Sequence, residues 1–498
     1  MKKLYLLSLF FLAKISFAQF IECMPAKDAG VKNFPNLSGF FTKENGGIFH
    51  SEIIEKDKKY TYILEKFNND LTPMFKQTIA FENGESVQCV EIKQNKIFLF
   101  TTYYNDQDNT LFLRILDNAS GKTVLDKRIL GALPSDRFGV SGRTFSVEFS
   151  PDETKMLIVS AFQWPKKPQQ VKAEIYETAS LKILNSFNFP DAYNEIIIKT
   201  TSYNLTNDGN MLYFFKPDVK EKKAPKRTTL GFYEANSKTN KFADLPLESK
   251  IIDNFYSSQK EGSLIMAGVF KDDYPKKDDK ENKAGIFSIV LNTKNGTVSN
   301  SKFEYFSAET DKKLSYKDGE GNKDLSEKKF SAKGMIKTKN GFYIIENLTY
   351  TRTSEGKYAT YITQFSREYV VSKIDETGKI EFIKIIPKYT SKNMYDGDFM
   401  ESNNNLYLFY GDHPKNLEKF TLENYEPKEY DDVADVRGPV AVCVKVAANG
   451  TLSRQNIFRN ETWCYYPGYG VITKNGSDMV VMTIQKDEYL LQVFRVKP

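Results

Sequence analysis

Short polar turns recur along the chain, and each is followed at once by an apolar run. Asn and Gly are frequent in these turns because tight turns need positive φ angles, which most side chains resist. Consecutive turns lie about 50 to 80 residues apart, the repeat range of propellers and arrays. The eight turns occupy residues 44–47, 94–96, 151–155, 207–210, 260–263, 339–341, 403–405 and 474–477.

A second set of Asn- and Gly-rich turns alternates with the first, and each member follows an apolar strand. These seven turns occupy residues 68–70, 117–122, 177–180, 236–240, 292–296, 375–379 and 448–450. Alternating hairpins of this kind predict antiparallel four-stranded sheets. The predicted repeat is strand A, a tight turn, strand B, a variable connection, strand C, an Asn/Gly turn and strand D.

The eighth copy of the repeat, residues 459–498, stops after strand C and has three strands. Residues 19–36 precede the first strand A and are the predicted donor of the missing strand. A strand supplied in this way would join the two ends of a ring and leave no open sheet edge. We therefore predict an all-β propeller over residues 19–498, closed by an N-terminal strand. Eight four-stranded blades are expected, or seven if one turn is a chance match.

One of the turns resembles a known family. The stretch Phe149–Leu157, FSPDETKML, is similar to the F-S-P-D-G-x-x-[IL] turn of WD40-like and TolB-like β-propellers. Stretches such as ILDNASGKTVL resemble the second turn of the same superfamily. The resemblance implies the fold rather than a function. The Gly-His and Trp-Asp signatures of true WD40 repeats do not occur in the repeats.

Insertions collect on one predicted face of the ring. In an antiparallel repeat the A–B and C–D turns lie at one end of the strands, and the B–C and D–A connections lie at the other. The predicted insertions are residues 103–109, 164–170, 217–227, 271–283, 351–365 and 413–437 between strands B and C, and 307–329 between blades. Insertions confined to one face often mark the binding side of a repeat protein.

The first eighteen residues are typical of a secretory signal peptide. A positive start with Lys2 and Lys3 precedes a short apolar run, and Ser16-Phe17-Ala18 supplies small residues for cleavage before Gln19. Its style resembles leaders of Gram-negative bacteria, which indicates a periplasmic or secreted protein. Its removal lowers the formal net charge from +6 to +3, because three lysines leave and no acid does. Such a mild charge does not favour nucleic-acid binding, and no membrane span is predicted.

Catalytic signals are weak. The chain has no G-x-S-x-G nucleophile motif and only two histidines. His50 falls in strand B of the first repeat, where a structural role is expected. His413, in Gly-Asp-His-Pro, opens the longest predicted insertion and is the better candidate for a general base or a ligand.

Two groups of residues are candidates for binding. Asp106 and Asp108, beside Tyr103, offer the oxygen ligands that Ca²⁺ accepts, without the rest of an EF-hand loop. Exposed aromatic residues anchor glycans or peptides, although packing between blades is the alternative for each of them. The aromatic candidates are Trp164, above the third repeat, and Trp463, Tyr465 and Tyr466, in the link into the last repeat.

Four cysteines are too few for a disulfide framework in a chain of 498 residues. Cys23 lies in the predicted donor segment and Cys464 begins the last repeat, so a Cys23–Cys464 bridge that staples the ring is a hypothesis. Cys89 and Cys443 fall within strands, where a buried thiol is expected.

These observations favour a non-enzymatic binding or scaffolding module that meets a protein, peptide or glycan at its B–C and D–A connections. The alternative is a carbohydrate-active or Ca²⁺-dependent enzyme with carboxylates around a central channel. No cofactor other than Ca²⁺ is indicated.

Overall fold

The fold is taken from a computed structural model that describes most of the chain. The described residues are 21–23, 27–28, 39–43, 47–56, 59–68, 72–105, 108–134, 144–163, 169–189, 199–216, 228–248, 250–260, 262–272, 283–314, 329–355, 360–390, 397–425, 431, 440–458, 463–465, 471–472, 477–485 and 488–497.

Strands make up nearly all of the regular structure. In the first half of the chain they are β1 (Ile21–Cys23), β2 (Lys27–Asp28), β3 (Gly39–Lys43), β4 (Gly47–Lys56), β5 (Lys59–Phe67), β6 (Pro73–Phe81), β7 (Glu85–Lys93), β8 (Lys96–Tyr104), β9 (Asp108–Asp117), β10 (Thr123–Pro134), β11 (Thr144–Phe149), β12 (Lys155–Gln163), β13 (Gln169–Glu177), β14 (Ile183–Asn188), β15 (Lys199–Leu205), β16 (Met211–Lys216), β17 (Thr229–Glu234) and β18 (Thr239–Asp244).

The second half continues the pattern and adds two short helices, α1 (Ala308–Leu314) and α2 (Pro414–Lys419). Its strands are β19 (Lys250–Lys260), β20 (Ser263–Asp272), β21 (Ala284–Asn292), β22 (Val298–Tyr305), β23 (Lys329–Thr338), β24 (Gly341–Glu355), β25 (Thr360–Asp375), β26 (Ile380–Ile386), β27 (Asp398–Ser402), β28 (Asn405–Asp412), β29 (Val440–Val446), β30 (Leu452–Phe458), β31 (Trp463–Tyr465), β32 (Val471–Ile472), β33 (Asp478–Gln485) and β34 (Glu488–Val496).

The strands form successive antiparallel sheets. Each of the first seven consists of four consecutive strands, from β3–β6 (sheet 1) through β7–β10, β11–β14, β15–β18, β19–β22 and β23–β26 to β27–β30 (sheet 7). Sheet 8 has the order β1-β34-β33-β31, with β2 also paired to β34 and β32 to β33. The predicted turns of both sets connect strands in the expected order. This all-β architecture is consistent with a propeller-like fold.

Middle and outer strands differ in burial. In sheet 5, β20 and β21 are buried along almost their entire length, whereas the outer strand β22 alternates between half-buried and exposed positions. A strand that is covered on both faces reads as a continuous apolar run, and a strand with one covered face alternates. This explains why the apolar runs that follow the first set of turns are uninterrupted.

The hydrophobic core is divided among the spaces between neighbouring sheets. Seven apolar clusters each join two successive sheets, from the sheet 1–sheet 2 cluster to the sheet 7–sheet 8 cluster. Between sheets 4 and 5, for example, the rings of Phe214 and Phe255 meet edge to face at 5.1 Å. Each sheet is therefore stabilised by its neighbours, as in other stacked repeat architectures.

The two ends of the chain meet in sheet 8. The N-terminal strand β1 pairs antiparallel with the C-terminal strand β34, with Ile21 opposite Val496. The first strand of sheet 1, β3, lies beside β32 of sheet 8. The predicted pairing partner of the last repeat, within residues 19–36, is thus present in the structure.

The turn that carries the family resemblance is held by its own side chains. Ser150 Oγ donates to Asp152 Oδ1 (2.6 Å) and accepts from the Lys155 backbone N–H (3.0 Å). Glu153, where the family has glycine, adopts a left-handed φ of 60°. Its carboxylate and carbonyl oxygens accept hydrogen bonds from Gln94 of sheet 2 (2.7 and 3.0 Å), so a contact between sheets accompanies this unfavourable backbone conformation.

Four predicted insertions contain more regular structure than expected. Within 103–109, β8 runs to Tyr104 and β9 begins at Asp108. Within 351–365, the described residues 351–355 and 360–365 continue the paired strands β24 and β25, from Thr351 opposite Gln364 to Glu355 opposite Thr360. Insertions 307–329 and 413–437 contain the helices α1 and α2.

Candidate functional site

The two ends of the sheets have different roles. We call the end formed by the A–B and C–D turns the turn end, and the end formed by the B–C and D–A connections the loop end. At the turn end, neighbouring A–B turns are joined by hydrogen bonds. Besides the contacts between Gln94 and Glu153, the Asp152 backbone N–H donates to Asn207 Oδ1 (3.0 Å), which joins sheet 3 to sheet 4.

The C–D turns are joined to the preceding sheet in a similar way. Arg128 of sheet 2 donates to the Leu181 carbonyl in the turn of sheet 3 (3.0 Å). Lys373 of sheet 6 donates to the Ala448 carbonyl in the turn of sheet 7 (3.0 Å). Because these backbone groups are already engaged between sheets, the turn end is structural, and the candidate site is at the loop end.

A buried polar cluster lies at the loop end of sheet 6. It joins charged and uncharged hydrogen-bonding groups, all of them at most 4% exposed. The sheet 6 cluster comprises Glu346, Asn347, Ser366, Arg367, Glu368 and Lys388. Buried charges of this kind are rare unless they are paired, which makes the cluster the strongest concentration of potential chemistry in the described residues.

A β-bulge creates part of the cluster. Asn347 pairs with Tyr369 and Thr349 pairs with Ser366, so two residues of β25 lie opposite one residue of β24. These two residues of β25 are Arg367 and Glu368, whose side chains form an ion pair at 2.9 Å. A bulge of this kind changes the direction of side chains and is frequent near functional sites.

Ser366 is the acceptor at the centre of the cluster. Its Oγ accepts hydrogen bonds from Lys388 Nζ (2.9 Å) and Asn347 Nδ2 (2.8 Å). The Lys388 ammonium also lies 4.6 Å from the centre of the Tyr369 ring, a cation–π arrangement. In a catalytic Ser–Lys pair the serine would donate to a neutral lysine amine; here Ser366 accepts from Lys388 and both side chains are almost completely buried, so the bond orders the loop end.

The charges of the cluster reach tyrosines in neighbouring segments. Burial raises the pKa of Tyr256, and the negative charge of Glu346 raises it further. Burial likewise raises the pKa of Tyr425 well above its usual value, with the charge of Glu368 adding to the effect. Both phenols therefore lose their protons only at a pH above the usual range for tyrosine.

The connection after β28 covers this end of sheet 6. We call its described residues, 413–425 and 431, the cap. Asn416 is fully buried; its side chain donates to Asp412 Oδ1 (2.9 Å) and exchanges hydrogen bonds with the backbone of Asp431 (2.8 and 2.7 Å). These bonds hold Asp431 beside the first turn of helix α2. Phe420 and Tyr425 pack into the core shared by sheets 5 and 6. The cap is thus part of the fold.

His413, the predicted base or ligand, is the N-cap of helix α2. Its Nδ1 accepts a hydrogen bond from the Lys415 backbone N–H (3.2 Å), and the side chain is buried. An accepting Nδ1 places the ring proton on Nε2. Pro414 at the first helical position supports the same role. The structure therefore gives His413 a capping function.

Of the acidic candidates, Asp108 begins β9 at the loop end of sheet 2. The Asn105 backbone N–H donates to the Asp108 carbonyl (2.9 Å), and the Asp108 backbone N–H donates to Asn105 Oδ1 (2.7 Å). Tyr103 lies in β8 and its ring is 6.4 Å from that of Phe112. Asp106 lies outside the described residues. In the part of the chain that is described, no group of three or more His, Cys, Asp or Glu side chains is suited to a metal ion.

The aromatic candidates are placed only in part. Trp463 and Tyr465 belong to β31, which pairs with β33, so they lie in a strand of sheet 8 and not in a link before it. Trp164 and Tyr466 lie outside the described residues. His50 lies in β4 and is buried, with Nδ1 3.1 Å from Glu65 Oε2.

The order of sheet 8 argues against the Cys23–Cys464 bridge. Cys23 lies in β1 and Cys464 in β31, with β34 and β33 between them. Three strand spacings amount to roughly 14 Å, whereas a disulfide needs Cα atoms within about 7 Å. Cys89 lies within β7 and Cys443 within β29; burial raises the pKa of Cys443 well above its usual value.

Comparisons with known proteins give no family. No family model and no curated protein matches the chain. The solved structures that resemble it are all-β, propeller-like enzymes. The polysaccharide lyase Uly1 shares 12% identity over 87% of this chain and 93% of its own, with a TM-score of 0.38. An ulvan lyase of family PL25 shares 12% identity over 81% and 90%, with a TM-score of 0.36. A prolyl endopeptidase shares 10% over 81% and 53%, with a TM-score of 0.30.

No helix among the described residues is long and apolar enough to span a membrane.

Proposed function

We propose that the chain is an exported binding or scaffolding protein, built as an eight-bladed propeller that presents its partner surface at the loop end. The apolar clusters between successive sheets support the ring, as do the pairing of β1 with β34 and the approach of β3 to β32. Export rests on the signal peptide expected in residues 1–18.

The different roles of the turn end and the loop end support this proposal. Turn-end backbone groups are engaged in contacts between sheets, as the bonds from Gln94 to Glu153 and from Arg128 to Leu181 illustrate. The loop end carries the longer connections. Connections that vary in length from repeat to repeat are suited to recognition when the scaffold is fixed by contacts at its opposite end.

Two exposed tyrosines at the loop end are candidate contacts. Tyr104 ends β8 and is 43% exposed; Tyr305 ends β22 and is 42% exposed. The Tyr305 hydroxyl donates to Asp272 Oδ1 (2.7 Å), which fixes the ring beside a carboxylate. An oriented aromatic ring next to a polar group suits a glycan or a peptide. Tyr104 and Tyr305 lie on sheets 2 and 5, so they define separate contact regions.

Site-specific photocrosslinking in the native envelope tests the proposal. A photoreactive amino acid replaces Tyr104 or Tyr305 at the loop end, and its matched control replaces Ser120 or Asn295, exposed turn residues of the same two sheets. We expect a discrete crosslinked partner, peptide or glycan from the loop-end positions alone. Equal products from both ends, or products from the turn end alone, would contradict the assignment of the binding face.

The enzyme alternative is tested on the same purified protein. Neutral and acidic polysaccharides and peptides are incubated with it, in the presence of Ca²⁺ and after chelation. Sustained turnover would overturn the binding proposal and favour carboxylates around the central channel. Turnover that is lost after chelation would indicate a Ca²⁺-dependent enzyme.

A further inference from the structure

The N-terminal strand β1 is held along both of its edges. On one edge it pairs with β34. On the other, Gln455 of sheet 7 binds the same residue twice: its Oε1 accepts from the Ile21 backbone N–H and its Nε2 donates to the Ile21 carbonyl, both at 2.8 Å. The Gln455 amide therefore substitutes for the peptide group of a neighbouring strand.

The side chain of Ile21 fills an apolar site between sheets 7 and 8. It is only 2% exposed and belongs to the cluster that contains Phe409, Cys443, Met479 and Phe494. Burying an isoleucine side chain contributes about 1.5–3 kcal/mol, so this one residue is a principal anchor of the strand.

Three charged residues in adjacent strands favour an acidic side chain at position 22. Glu22 lies opposite Arg495, which lies opposite Asp478 in the adjacent strand. Arg495 donates to both carboxylate oxygens of Asp478 at 2.9 Å, and Asp478 is buried. Hydrogen bonding to Asp478, with a smaller effect of the Glu22 charge, raises the pKa of Arg495. An acidic residue at the Glu22 position is thus matched to the arginine.

These contacts together describe an acceptor groove for an extended strand. Its elements are the edge of β34 that pairs with β1, the Gln455 amide, the apolar site for Ile21 and the Arg495 guanidinium. Strand addition of this kind combines backbone hydrogen bonds with side-chain pockets. The groove selects an apolar residue followed by an acidic one.

We propose that this groove also accepts the N-terminal strand of a second copy of the chain, so that two copies exchange strands. The strand is short: three residues pair through β1 and two through β2. The ten residues between Asp28 and Gly39 reach roughly 33–36 Å when extended. An identical strand from another copy makes identical contacts, which is the basis of domain swapping. The inference concerns assembly and is independent of the loop-end ligand.

Complementation between two full-length variants tests the exchange. Ile21→Asp disables the strand and leaves the groove intact, whereas Gln455→Leu disables the groove and leaves the strand intact. We expect each variant alone to be monomeric by light scattering, and the mixture to form a heterodimer. A mixture that stays monomeric at all concentrations tested would overturn the exchange.

Peptide uptake provides an independent measurement. A fluorescent peptide of residues 19–30, with Cys23→Ser to prevent oxidation, is added to the full chain and followed by anisotropy. We expect Ile21→Asp to increase the uptake about tenfold or more, because the chain's own anchor is lost. Adding Gln455→Leu to that variant should lower it about tenfold, since two hydrogen bonds are lost. A peptide with Glu22→Lys should bind more weakly.

A milder variant keeps the test valid if Ile21→Asp does not fold. Glu22→Lys changes an exposed side chain and opposes Arg495 with a like charge. We expect a severalfold increase in uptake of the unmodified peptide. Absence of uptake by this folded variant, together with no heterodimer, would refute the acceptor groove.

Discussion

Replacing Arg114 by methionine should strongly destabilise sheet 2. Arg114 Nη1 and Nη2 donate to the two carboxylate oxygens of Glu85 at 2.5 and 3.3 Å, and both side chains are buried. Methionine fills a similar volume but leaves a buried carboxylate whose remaining side-chain partners are the Thr101 hydroxyl (2.6 Å) and the more distant Lys127 ammonium, 3.6 Å from Oε2. Loss of one partner from a buried ion pair costs about 3–5 kcal/mol, and we expect a loss of that size in the free energy of unfolding.

The matched control is an exposed pair of the same kind. Lys76 Nζ lies 2.7 Å from Glu65 Oε1, and the Lys76 side chain is 59% exposed. Lys76→Met should change the stability by no more than about 1 kcal/mol. Urea unfolding, followed by far-ultraviolet circular dichroism, compares the stability of the two variants. If Arg114→Met costs as little as the control, the reasoning on buried charge is refuted.

The pH dependence supplies a second check on the same pair. Burial alone would raise the pKa of Glu85, but hydrogen bonds from Arg114, Thr101 and a backbone N–H lower it below its usual value. This contribution to stability is present above the unfolded pKa of about 4.3 and is lost as the pH falls through the lower folded pKa. In Arg114→Met burial dominates, so the variant should instead recover stability relative to the wild type as Glu85 becomes protonated. A stability deficit that stayed constant with pH would contradict this explanation.

Three further outcomes are expected. Gly341→Ala should lower the unfolding midpoint in urea by at least the equivalent of about 1 kcal/mol, because φ is 140° and a Cβ atom would lie 2.1 Å from the Ile374 carbonyl oxygen. Glu153→Ala should be less stable than Glu153→Gly, since both lose the carboxylate bond to Gln94 but only glycine relieves the left-handed backbone; equal unfolding midpoints would contradict the strain. Burial, then nearby acidic charge, raises the pKa of Tyr176 to about 12, so wild-type stability should fall between pH 10 and 12 more than that of Tyr176→Phe, which thermal unfolding at each pH would measure.

The order of strands could be predicted because the signals that set it are local. Gly209 has a φ of 85° and Asn404 a φ of 62°, and both residues tolerate this conformation without tertiary support. The uninterrupted apolar runs after the turns reflect burial of the middle strands on both faces. The missing strand of the last repeat followed from counting turns, and β1 lies at the expected edge.

The sheet 6 cluster could not be predicted, because its meaning depends on tertiary contacts. Arg367 and Glu368 are adjacent charges that in sequence are typical of a solvated surface. Only the bulge and the cap bury them. His413 was different: proline after a polar residue is a helix-start signal, and it would have indicated a cap. The Thr and Tyr residues in 349–353, which are enriched in strands, would likewise have indicated a strand.

The filled loop end of sheet 6 restricts where a partner can bind. The cap covers a cluster whose Lys388 and Arg367 side chains are at most 2% exposed. A ligand that used these side chains would first have to displace Tyr425 and break the hydrogen bonds between Asn416 and Asp431. Sheets 2 and 5, in contrast, end in exposed Tyr104 and Tyr305 with no such rearrangement. Binding at those two tyrosines therefore requires no unfolding of the cap, and we expect the first crosslinks there.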